Sequence, residues 1–82
     1  MMSLSNEELI IQYKENHNFL LKRYLNGCDY LNNPKNQTDR LIEELFKIQE
    51  NIDINLAKLM KLTNITSKEV IEGFELRRTD EQ

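Results

Sequence analysis

Two runs of apolar residues spaced alternately by three and four positions dominate this chain, and they restrict it to a helical hairpin. The first run is Ile10, Tyr13, His17, Leu20, Tyr24, Gly27 and Leu31. Such spacing keeps every member on one side of an α-helix and forms a heptad seam about 27 residues, or roughly 40 Å, long. Leu9, Leu21 and Cys28 widen that seam on one side. The run stops at Asn32-Asn33-Pro34, because proline disfavours helical geometry in the residue before it. Asn32 or Asn33 is positioned to cap the helix end in the left-handed conformation.

After the polar stretch Lys35-Asn36-Gln37, Thr38 or Asp39 can serve as the next N-cap. The second run then follows as Leu41, Leu45, Ile48, Ile52, Asn55, Leu59 and Leu62, broadened by Ile42, Leu56 and Met60. Two helices of about 5–32 and 38–62, joined by a loop of about five residues, are forced to lie antiparallel.

The helix starts are written in one repeated phrase. LSNEEL at residues 4–9 and ITSKEV at 65–70 both read apolar, hydroxyl, two variable positions, glutamate, apolar. With Ser5 and Thr66 as N-caps, Glu8 and Glu69 fall at N3 and complete capping boxes. Leu4 with Leu9, and Ile65 with Val70, occupy the hydrophobic-staple positions. A short third helix is therefore expected over about 67–76, with Val70, Ile71 and Phe74 on its apolar side. Gly73 inside it costs about 1 kcal/mol relative to alanine. Residues 1–76 read as a single all-α domain, and 77–82 as a loose polar tail.

The totals limit what such a hairpin can do. A chain of 82 residues builds only a marginal core. The net charge of −3 and the absence of a basic stripe in the linear sequence disfavour nucleic acid and favour a protein partner. One cysteine, Cys28, permits no internal disulfide and fits a reducing compartment. No apolar run reaches the roughly 18 residues of a membrane span, and no signal-peptide pattern opens the chain, so the expected location is cytoplasmic. The triplets Asn36-Gln37-Thr38 and Asn64-Ile65-Thr66 match a glycosylation pattern that has no meaning there.

Catalytic and metal chemistry find little support. His17, the sole histidine, lies within the first seam, where the ordinary role is a partly buried ring bonded to a tyrosine or asparagine. Cys28 is eleven residues away, about 16 Å along the same helix, too far to share an ion or a proton. Glu7-Glu8 and Glu43-Glu44 are adjacent pairs near helix starts, where they favour the helix dipole. Neither a phosphate-binding glycine loop nor a metal-ligand motif is present, so no enzyme activity, cofactor or metal is expected. Asn55 stands among leucines, either to fix register or because the seam runs into solvent there.

The segment LAKLMKLTNITSKEVIEGF (residues 56–74) outlines a helix-turn-helix, which makes a small DNA-binding regulator the alternative reading. Lys61 stands where that motif usually has a small residue. Glu69, Glu72 and Glu75 would face phosphates, with Arg77 and Arg78 only at the far end. The phrase LSNEELIIQY (residues 4–13) resembles the N-terminal phrase of the sporulation-checkpoint antikinase family, small helical hairpins that dock on histidine kinases. The resemblance implies a hairpin that acts by docking.

The sequence therefore points to a non-catalytic helical interaction module. Its partner is expected to be a second copy, giving a four-helix bundle, or another helical protein serving the same end. Phe46, Ile54 and Ala57 lie off the main stripe of the second helix. With Phe74, and with Tyr13 and Tyr24 as amphipathic anchors, they are the expected contact residues.

Overall fold

The computed structural model describes residues 5–76. They form two long helices that pack against each other and one short helix, with no strand among them: α1 spans Asn6–Leu31, α2 Asp39–Met60 and α3 Ser67–Glu72. Leu4 and the 77–82 segment, to which a staple and a loose tail were assigned, lie outside the described residues.

All three helices begin at the hydroxyl residues expected. Ser5 accepts from the Glu8 amide, Thr38 from the Leu41 amide and Thr66 from the Glu69 amide. At Thr66 the box is reciprocal, since the Thr66 N–H donates to Glu69 Oε1 at 2.9 Å. At Ser5 the Glu8 carboxylate takes the Ser5 hydroxyl instead, at 3.1 Å. Each cap satisfies an amide that the first helical turn leaves without a partner.

The end of α1 departs from expectation. Asn32 keeps right-handed geometry, and among the described residues only Gly73 has positive φ. Pro34–Asn36 forms a 3-10 turn capped by the Asn33 side chain, with Pro34 in the position where its missing N–H costs nothing. That turn swings two amide side chains back under the helix. Asn36 Nδ2 donates to the Tyr30 carbonyl at 2.9 Å, and Gln37 Nε2 to the Leu31 carbonyl at 3.0 Å. The free carbonyls of α1 are thus capped by the connector itself.

α2 stops at Met60 rather than 62, where the Leu62 and Thr63 amides both turn back onto the Leu59 carbonyl. The third helix is shorter still. Gly73 has φ 97° and ψ 165°, a region essentially reserved for glycine, so the helix ends at Glu72 and the chain turns inward. Ile71, expected on the apolar side of this helix, is 69% exposed, whereas Phe74 is buried.

The core is small. Leu20, Ile52, Leu59 and Phe74 are its buried apolar residues, and His17 and Asn55 are buried with them. Gly27 lets α1 and α2 approach, since a Cβ there would lie 2.5 Å from Leu45 Cδ2.

Candidate interaction site

Seam positions in α1 and α2 point polar groups into the core, and these groups join the three helices. Asn55 is 6% exposed, so the second seam does not run into solvent there. Its Nδ2 donates to the Tyr13 carbonyl at 2.9 Å, and its Oδ1 accepts from Asn16 Nδ2 at 3.0 Å. The Tyr13 carbonyl belongs to an α-helix, so Asn55 uses its second lone pair. That geometry holds only at one alignment of α1 against α2.

His17 is fully buried. Its Nε2 lies 3.0 Å from the Val70 carbonyl, which can only accept, so the proton sits on Nε2. The partner is main chain of α3, not the tyrosine or asparagine expected. Nδ1 has no hydrogen-bond partner among the described residues, a cost of about 1–3 kcal/mol. The Phe74 ring meets the imidazole edge-on, with centroids 5.3 Å apart, and the Lys14 ammonium lies 5.4 Å from the Phe74 centroid. One residue along α1, Asn18 grips the Phe74 backbone. The Phe74 N–H donates to Asn18 Oδ1 at 2.7 Å, and Asn18 Nδ2 donates to the Phe74 carbonyl at 2.9 Å. The third helix is therefore attached through side chain to main chain bonds and one aromatic ring.

The six residues expected to meet a partner do not form one patch. Phe74 is 6% exposed and belongs to the core. Tyr13 is half-buried and lines a groove between α1 and α2 with Asn16, Leu20, Asn51, Ile54 and Lys58. Ile54 is 55% exposed on the rim of that groove. Tyr24 is half-buried near Cys28, one turn on in α1. The charge of the Cys28 thiolate, then burial, then a hydrogen bond that the phenol donates to the Cys28 sulfur raise the Tyr24 phenol above its usual value. Phe46, 65% exposed, and Ala57, also exposed, lie on the flank of α2 away from the groove.

On that same flank the structure adds Ile42 and Met60, 39% and 62% exposed. The sequence places both on the edge of a broadened stripe, which is wider than two helices can cover. α1 likewise exposes Phe19 and Leu25. In the helix-turn-helix outline, α3 is only six residues long and carries Lys68, Glu69 and Glu72. Arg77 and Arg78 lie outside the described residues. Among the described residues no three His, Cys, Asp or Glu side chains gather as a metal site, and no helix is long and apolar enough to cross a membrane.

No protein-family model matches this chain, and no curated protein or solved structure does.

Proposed function

We propose that this protein is a non-catalytic helical interaction module that works by presenting the flanks of its hairpin to another helical surface. The supporting observation is the flank of α2 on which Ile42, Phe46 and Met60 are all substantially exposed, with the hydrogen-bonded Gln49–Asp53 pair between them. Fully burying an exposed side chain of this size is worth about 1.5–3 kcal/mol, so these three give the flank a driving force for contact with a partner helix. Only four apolar residues are buried among the described residues, and a second copy laid against this flank would extend that core into a four-helix bundle.

The test is mass against concentration, by sedimentation equilibrium from about 1 µM to 1 mM. A dimer is expected at the upper end, with Phe46→Ser and Met60→Ser together returning the chain to monomer. A monomeric mass throughout would remove self-association and leave docking on a different helical protein. Because both side chains lie on the surface, the variants retain the fold and their helical signal serves as control.

A further inference from the structure

The exposed flank of α2 matches itself when read backwards. Ile42, Phe46, Gln49, Asp53, Ala57 and Met60 follow one another at spacings of three or four residues, which keeps them on one side of the helix. Each also has a counterpart. Ile42 lies as far before Asn51 as Met60 lies after it, Gln49 as far before as Asp53 after, and Phe46 and Ala57 correspond to within one residue. The counterparts are complementary in kind. Ile42 and Met60 are both apolar and exposed. Phe46, 65% exposed, is the bulkiest side chain of the stripe, and Ala57, also exposed, is the smallest. Gln49 Nε2 donates to Asp53 Oδ1 at 3.0 Å within the helix, a bond that uses one of two amide hydrogens and one of two carboxylate oxygens.

We infer that this flank is self-complementary and packs on the same flank of a second copy laid antiparallel, with Phe46 of each protomer seated over the partner's Ala57. The inference rests on the interaction-module reading and deepens it by fixing the partner and its direction. In a two-fold interface every contact occurs twice, residue i on j and j on i, so a stripe fits itself only when its halves match in reverse. A reversed copy sets Ile42 against the partner's Met60 at both ends, about 27 Å apart, and covers each alanine with a phenyl ring. At the centre, the second amide hydrogen of Gln49 meets the second oxygen of the partner's Asp53, so the four polar side chains close a ring of hydrogen bonds. A parallel copy would set Asp53 directly against the partner's Asp53, and like charges so placed repel. It would also press phenyl on phenyl and leave a gap between the alanines. An unrelated helix could match any one of these contacts, whereas the reversed copy supplies all three pairs.

Sedimentation equilibrium of the full chain tests the direction through a swap. Phe46→Ala leaves two holes in its own dimer, and Ala57→Phe drives two pairs of rings together. Each variant alone is therefore expected to dimerise about tenfold more weakly than wild type, or worse. In an equal mixture, one chain supplies alanine and the other phenylalanine at both positions, and the antiparallel pairing again sets a ring over an alanine at each end. The mixture is expected to recover wild-type dimerisation to within about threefold, because the two changes meet in one contact. Both positions are exposed, so the variants keep the fold, with their helical circular dichroism as control. If wild type dimerises but the mixture is no tighter than its components, or Ala57→Phe dimerises as well as wild type, the inference is overturned and the proposed function stands. A wild-type chain that stays monomeric to about 1 mM would overturn the inference together with self-association.

Discussion

Asn18 holds both main-chain polar groups of Phe74, accepting from its N–H at 2.7 Å and donating to its carbonyl at 2.9 Å. An amide is the side chain suited to this, since it carries an acceptor and a donor side by side. The pair replaces the helical bonds that Phe74 loses when Gly73 ends α3. Asn18→Asp keeps the acceptor, loses the donor and sets a charge against the Phe74 carbonyl. Leaving such buried groups unpaired costs about 1–3 kcal/mol. Amide exchange from Val70 to Phe74 should accelerate by roughly ten- to a hundred-fold, while the centres of α1 and α2 keep their rates. Uniform acceleration along the chain would mean that the clamp supports the whole fold rather than the third helix alone.

Gly73→Ala tests the turn that delivers Phe74. A side chain at φ 97° is strained by about 1–3 kcal/mol, and its Cβ would also lie 3.1 Å from Asn18 Oδ1. Urea unfolding should show a loss of that size, together with faster exchange at Phe74. An unchanged midpoint would show that this backbone geometry is not maintained in solution.

The approach of α2 to α1 at Gly27 gives a double-mutant prediction. Gly27→Ala gains about 0.5–1 kcal/mol of helix propensity but drives a Cβ into Leu45 Cδ2. In a Leu45→Ala background the obstacle is gone, so the same substitution should stabilise by that full amount. In the wild-type background it should gain less or lose. Equal effects in both backgrounds would place the helices farther apart than described.

Tyr24 offers a titration. Its phenol is raised by Cys28 charge first, then by burial and a hydrogen bond that the phenol donates to the Cys28 sulfur. With Tyr13 and Tyr30 replaced by phenylalanine, alkaline absorbance should give a midpoint above the ordinary value of about 10. Cys28→Ser should lower it. The linkage has a definite sign: any stability from this raised value is complete below the unfolded pKa and disappears as pH climbs through the folded one. A midpoint insensitive to Cys28→Ser would remove the thiolate as the cause.

The helix starts were legible because capping is local. Ser5, Thr38 and Thr66 act within three residues of themselves, and both seams locate the α1–α2 contact. What the sequence did not disclose depends on partners far along the chain. Phe74 looks like a surface contact until Asn18, fifty-six positions earlier, is known to grip its backbone. His17 bonds a carbonyl of α3 fifty-three positions away, which no periodicity reveals. Ile42 and Met60 lie on a stripe wide enough to look buried, and only the actual crossing of two helices shows which edge stays in solvent.

The connector has a consequence for how this chain can be altered. Asn36 and Gln37 each reach back six positions, to Tyr30 and Leu31, so the number of residues between helix and amide is part of the cap. One residue added within Asn32–Asn36 would carry both amides past their carbonyls and strip the end of α1. A surface hairpin loop would ordinarily be the natural place to lengthen, label or cut a helical protein. Here it behaves as the last turn of the helix it leaves, and new termini or inserted tags belong instead near Asn64, between α2 and the Thr66 cap.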